Sequence, residues 1–197
     1  MSKIETLVPL LSALRDLVAW LKAKRVKGLI IGGVAASILG RPRVTRDVDA
    51  LVLIDEKDWN GFLTAGSEFG FVARVTNPLD FARKAKVLLV RHEPSGIDVD
   101  VTFGALPFEK EAVTNAVWVD IRGVRLPLPT AEDLIIMKAV AHRPRDLADI
   151  ESIIDAHKKL NLRRIRRWVR EFSAVVEMPE IFNDLEKILV RRPKRKR

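Results

Sequence analysis

The chain contains no cysteine. That excludes disulfides, thiolate chemistry and zinc held by cysteine. It also has no apolar run near the roughly 20 residues that cross a bilayer. Its N-terminus carries an acid, Glu5, inside a helical periodicity, which is not the pattern of a signal peptide. These absences point to a cytoplasmic protein without membrane contact. No internal repeat and no Gly/Ser linker divides the 197 residues, a length that buries roughly 70% of the unfolded chain's surface. The three histidines, His92, His142 and His157, show no metal-ligand spacing and read as surface or packing residues. Two glycine-rich phosphate motifs are missing as well. "GGVAASILG" (32–40) lacks the Gly-Lys-Ser/Thr ending of a Walker loop, and there is no G-x-G-x-x-G.

Charge is abundant but unevenly placed. The net charge is +9. Residues 1–157 hold 21 Lys/Arg against 21 Asp/Glu, whereas residues 158–197 hold 14 against 5. The excess lies in "KKLNLRRIRRWVR" and in the tail "RRPKRKR". Such a block is either a solvated face or tail, or a phosphate-seeking surface whose binding falls with salt. Trp20, Trp59, Trp118 and Trp168 are scattered, and only Trp168, inside the basic segment, is a candidate for stacking on a base.

Hydrophobic spacing predicts an amphipathic helix over ~4–25. A short strand follows at 28–31, then a turn and helix closed by Gly40 and Pro42. Residues 47–54 read as a central strand. A helix over ~56–66 is expected with Asp55 as cap. Strands are expected at 71–75 and 86–90, with "TNPLDFARK" between them as a loop. Another strand covers 96–104, and paired strands cover 116–129 around Arg122-Gly123. Thr130 with Asp133 resembles a capping box opening the next helix. Helices are predicted over ~144–157, ~161–173 and ~178–190. The fold class is α+β: a mixed central sheet flanked by helices, with a helical C-terminal part. We expect a core over 1–128, a helical part over 129–190, and a disordered basic tail at 191–197.

Asp47 and Asp49 lie two apart in a strand, so both side chains share one face. Two unpaired anions side by side repel and are costly to half-bury. Asp98 and Asp100 repeat the arrangement in "IDVDV". If the two strands are neighbours, four carboxylates face one spot, a set of hard oxygen donors that suits Mg²⁺ or Mn²⁺. The alternative is that each pair bonds to nearby Arg41, Arg43, Arg46 or Arg91. Gly32 and Gly33 allow a close backbone approach, and the helix after them offers free N–H groups to phosphate.

A strand, Gly-Gly, a helix and then "TRDVD" resembles the DNA polymerase β-type nucleotidyltransferase superfamily. The resemblance is closest to the AbiEii-type, toxin-like branch. It rests on Gly32, Gly33, Ala35, Gly40, Arg43, Thr45, Asp47 and Asp49, on Val99–Glu109, and on Glu132–Lys138 with Arg143–Asp149. The resemblance implies an Mg²⁺-dependent transfer of a nucleoside monophosphate from an NTP to an acceptor hydroxyl. It makes Asp47, Asp49 and Asp100 the catalytic, metal-binding carboxylates for two ions. Asp98 is a further candidate ligand whose role can also be structural. Gly32 and Gly33 would cradle phosphates, Arg43 and Thr45 would orient phosphate or the carboxylates, and Lys138 would reach the nucleotide. A surface lysine is the alternative for Lys138. Asp146 and Asp149 would stand behind these, paired with Arg143, Arg145 or Lys138. The C-terminal charge suggests RNA, specifically tRNA, as acceptor, and the branch suggests a toxin with a cognate antitoxin. Two other readings stay open: a catalytically silent nucleic-acid-binding protein on the same scaffold, and a transferase acting on a small molecule of the antibiotic type.

Overall fold

The computed structural model describes residues 3–191, with side chains from Val8 onward. The tail from residue 192 lies outside the described residues, and with it most of the segment expected to be disordered. The chain divides into two compact units. One holds the residues up to Val34 together with Val44–Pro129, and the other holds Ala35–Arg43 together with the residues from Thr130 on.

The first unit opens with helix α1 (Lys3–Ala23) and strand β1 (Lys27–Ile31). Its other strands are β2 (Asp47–Leu53), β3 (Phe71–Ala73), β4 (Val87–His92), β5 (Ile97–Phe103), β6 (Val117–Ile121) and β7 (Val124–Leu128). Helices α3 (Trp59–Gly66), α4 (Pro78–Ala85) and α5 (Pro107–Thr114) lie between them. A five-stranded sheet runs β1-β2-β5-β4-β3, and β6 and β7 form a separate hairpin. The β2–β5 pair is parallel and its neighbours are antiparallel, so the sheet is mixed. One face is the core: Val48, Ala50, Val99, Val101, Leu88 and Val90 are fully buried. Trp20 of α1 stacks on Phe62 at 4.1 Å and on Phe71 at 5.1 Å between ring centroids. Its indole N–H donates to the Phe62 carbonyl at 3.0 Å.

Two sequence expectations need correction here. "TNPLDFARK" is largely helix α4 rather than loop. Pro78 starts it, Asp80 sits in the first turn and Arg83 and Lys84 in the last, an order that suits both the chain geometry and the helix dipole. Asp55 does not cap a continuous helix: its side chain makes no capping bond, a 3₁₀ turn covers Glu56–Asp58, and α3 begins at Trp59.

The second unit contains α6 (Ala131–Ala141), α7 (Pro144–Ala156), α8 (Leu162–Val175) and α9 (Pro179–Arg191), along with the later residues of α2 (Gly32–Leu39). Thr130 caps α6, accepting from the Asp133 N–H at 3.1 Å while its hydroxyl donates to the Asp133 carboxylate at 2.7 Å. The buried Asp133 carboxylate also accepts from Arg164 of α8. Segment 35–43 approaches α7 closely: the Arg41 N–H donates to Ser152 Oγ at 2.6 Å. A Cβ on Gly40 would meet that same oxygen at 2.6 Å. Among the described residues no helix is long and apolar enough to cross a membrane.

Candidate active site

The parallel register sets Asp47 beside Asp98 and Asp49 beside Asp100. Because side chains alternate along a strand, all four lie on the face opposite the buried valines. The two Asp-x-Asp pairs, 51 residues apart in sequence, thus become one row of carboxylates. β1 ends with Ile31 opposite Asp49, and α2 starts at the next residue. Gly32 has φ +61, and a Cβ there would overlap the Asp49 carboxylate, reaching its Cγ at 2.5 Å. Only glycine meets both demands, the left-handed backbone and the missing side chain. Gly33 is buried in the first turn of α2.

Neighbouring groups orient the carboxylates. The Thr45 hydroxyl, 9% exposed, lies 3.0 Å from Asp47 Oδ1 and 3.2 Å from the Asp47 carbonyl, both as donor. Arg91 donates to Asp98 at 2.7 Å. Arg74 bridges two aspartates, 3.2 Å from Asp98 and in direct contact with Asp100. The Arg91 guanidinium, with help from Arg74, holds the Asp98 carboxyl below the usual range. Burial pushes the Asp100 carboxyl up, and repulsion from Asp47 and Asp98 adds to this beyond what Arg74 offsets.

Arg74 escapes sequence reasoning. It follows the last residue of β3, and its N–H bonds the Leu89 carbonyl of β4 at 3.0 Å. Leu89 is in turn the register partner of Asp100. Arg74 therefore reaches Asp100 only through the order β3-β4-β5, which no local pattern reveals.

The remaining predicted site residues gather in the second unit. Arg43 donates to both oxygens of Asp149, each at 2.9 Å. The Lys138 ammonium lies 2.7 Å from Asp146 and 2.8 Å from Asp149. Arg143 adds a bond to Asp146 at 2.6 Å. Lys138 is 4% exposed, Asp146 2% and Asp149 6%. The lysine expected at nucleotide phosphates is thus buried between two carboxylates, and it is no snorkelling surface side chain. Burial alone would raise both aspartates, but bonding to the cations wins and both carboxyls sit below the usual range. Of the expected partners of these aspartates, Arg143 and Lys138 take part. The three histidines likewise pack: His92 on Phe71, His142 against Asp184, and His157 on the Leu39 carbonyl.

Among the described residues no three acidic or histidine side chains converge into a ready-made metal cage. Arg74 draws Asp98 and Asp100 toward itself. The donor set nonetheless fits a hard divalent cation, being carboxylate oxygens on one face, with Asp100 raised by burial and further by the charges of Asp47 and Asp98.

The structure resembles solved nucleotidyltransferase folds. An antigenic nucleotidyltransferase-like protein from Paracoccidioides brasiliensis aligns with TM-score 0.55 and 16% identity, over 89% of this chain and 92% of that one. The antibiotic-resistance factor ANT(2'')-Ia aligns with TM-score 0.57 and 13% identity, over 86% and 94%. The lincosamide antibiotic adenylyltransferase LnuA, solved with lincomycin bound, aligns with TM-score 0.50 and 13% identity, over 72% and 94%. No curated protein sequence matches the chain. Residues 10–187 match the family described as "Nucleotidyl transferase of unknown function (DUF2204)". With its Gly-Gly turn set against a row of strand aspartates, the chain belongs to that family and is a nucleotidyltransferase.

Proposed function

We propose that this chain moves a nucleoside monophosphate from an NTP to an acceptor hydroxyl, using Mg²⁺ or Mn²⁺ held by Asp47, Asp49 and Asp100. The observation that carries this reading is the β2–β5 register, which aligns the carboxylates beside the glycine turn. When bound, a pair of such ions would neutralise the triphosphate and lower the pKa of the attacking hydroxyl. The protein's own groups do the rest. Thr45 fixes the Asp47 carboxylate. Gly32 lets the Asp49 carboxylate lie against the start of α2. The backbone N–H groups at the start of α2, at Gly32 and Gly33, and the positive end of its dipole favour phosphate. Arg74 supplies a positive charge beside Asp98 and Asp100. Asp98, bonded to two arginines, positions them. Arg43 and Lys138, with Asp146 and Asp149, hold segment 35–43 to α7.

For the acceptor we favour RNA, with tRNA as the first candidate. On α8 the side chains of Arg163, Arg167 and Arg170 are exposed, while Arg164 and Arg166 are committed to Asp133 and Glu186. The likeness in motif to the AbiEii-type branch supports a toxin role with a cognate antitoxin. A second reading, transfer to a small molecule, is favoured by the shared fold with ANT(2'')-Ia and LnuA, of whose chains the alignments cover 94% each. Incubation with labelled NTPs, Mg²⁺ and either total RNA or a panel of antibiotics, followed by mass spectrometry, separates the two. Label in RNA, lost in Asp49→Ala, supports the first reading, and label only in an antibiotic supports the second. The absence of transfer to any acceptor would refute both. Growth arrest on expression that Asp49→Ala relieves would support the toxin role.

A further inference from the structure

The first unit carries a second feature, away from the aspartates. A groove of about 990 Å³ lies between the C-terminal half of α1, the start of β1 and the β6–β7 hairpin. Its floor includes the apolar Leu21 and Val124, and its rim carries Arg15, Lys22, Arg25, Lys27 and Arg125. No acidic side chain lines it. Among the described residues none of these five cations forms an ion pair. Two acids beside rim cations have other contacts: Asp16, next to Arg15 in sequence, faces His92, and Asp120, the register partner of Arg125, accepts from the Gly123 N–H. Trp118 also lines the groove; it is 53% exposed, with the Arg125 guanidinium 5.6 Å from its ring centroid. An exposed indole backed by a cation, over an apolar floor with an unneutralised basic rim, is the chemistry that holds an unpaired base and its flanking phosphates.

We propose that this groove binds a single-stranded nucleic-acid segment, with Trp118 as the stacking surface and Arg15, Lys22, Arg25 and Lys27 on the phosphodiester backbone. The charge is complementary to a polyanion, and the ring selects a strand with accessible bases over a phosphate chain without them. Lys27 stands at the opposite end of β1 from Ile31, about 13 Å away at strand rise. A strand seated here would therefore run within one strand length of the carboxylates. The inference rests on nucleic acid as acceptor, but it is tested by binding alone.

The test measures anisotropy of a labelled oligouridylate with the full chain in an Asp49→Ala background, so that no turnover intervenes. Trp118→Ala is expected to weaken binding on the order of tenfold, with Trp118→Phe restoring most of it. Lys22→Ala and Lys27→Ala should each reduce the slope of log affinity against log salt by about 0.7. Trp118 and the lysines are exposed, and circular dichroism checks that each variant stays folded. Unchanged affinity in folded Trp118→Ala, unchanged salt slopes, or polyphosphate binding as tight as the oligonucleotide would each overturn the proposal. Binding with these signatures but no transfer to RNA would leave the groove standing and refute the RNA acceptor. Transfer to RNA without them would do the reverse.

Discussion

Lys138→Met removes the cation at the centre of the buried cluster in the second unit. Its ammonium bridges Asp146 and Asp149 at 2.7 and 2.8 Å, and all three side chains are at most 7% exposed. Breaking a buried ion pair by deleting one partner costs about 3–5 kcal/mol. Each aspartate keeps an arginine after the change, Arg143 on Asp146 and Arg43 on Asp149, so the lower end, about 3 kcal/mol, is expected. At about 2–4 °C per kcal/mol for a chain of this size, the melting temperature should fall by about 6–12 °C. Urea unfolding at neutral pH and calorimetry measure the loss, with an unchanged denaturant slope as the check on cooperativity. Nucleotide affinity of the folded variant should change little. A stability loss under about 1 kcal/mol together with a large loss of NTP affinity would refute this reasoning and make Lys138 a nucleotide-binding group. The pH dependence adds a second check. Asp146 and Asp149 have lowered carboxyl pKa values. Their contribution is thus present above the ordinary value near 4 and is lost as pH falls through the depressed folded value. In Lys138→Met the carboxyls are held down less because a cation is gone, so the deficit against wild type should shrink as pH drops below about 4.

Gly32→Ala should cost about 1–2 kcal/mol for its left-handed backbone alone and displace the Asp49 carboxylate. Transfer is therefore expected to fall at least about a hundredfold, well beyond the stability loss, and near-normal rates would disprove the contact. Thr45→Val should leave the melting temperature near that of wild type but reduce transfer about ten- to a hundredfold, as loss of an orienting bond to a metal ligand does. Asp49→Ala should abolish transfer in a labelled-NTP assay, with calorimetry checking that the variant stays folded. Gly40→Ala forces Cβ to 2.6 Å from Ser152 Oγ and should destabilise by about 1–3 kcal/mol in urea unfolding.

The sheet was readable wherever burial left a period. Residues 47–54 alternate at their charged end and then become apolar, residues 96–104 alternate strictly, and both are strands within a residue or two. The capped start of α6 was legible because Thr130 and Asp133 bond locally. Helix α4 resembles a loop in sequence because Asn77-Pro78 signals a turn and the few apolar residues, Leu79, Phe81, Ala82 and Ala85, mark a weak side. Pro78 at its start and the terminal charges Asp80, Arg83 and Lys84 carry less weight in the sequence than that turn signal. Helix α5 lies outside the elements that the spacing predicts, although Glu109 accepts from the N–H groups of Ala105 and Leu106 at 2.7 and 2.8 Å, a local signature at its start. Arg74 and Trp118 were illegible for a different reason. One meets Asp100 through strand order, and the other is exposed where the hairpin lines the groove. Both facts are tertiary. The balanced charge of residues 1–157 likewise conceals a local separation, with four aspartates on one row and five cations on one groove.

The parallel pairing of β2 on β5 has a consequence for how this enzyme can change over generations. A shift of either strand by one residue would turn Val48, Ala50, Val99 and Val101 out of the core and the aspartates into it. The spacing of the carboxylates is thereby tied to the folding of the domain. Substitution can erase an aspartate and leave a folded, silent protein, but insertion or deletion within these strands removes the protein altogether. Variation in acceptor is therefore free to accumulate in the connecting segments and at the hairpin, while the reacting end keeps its alignment as a by-product of stability.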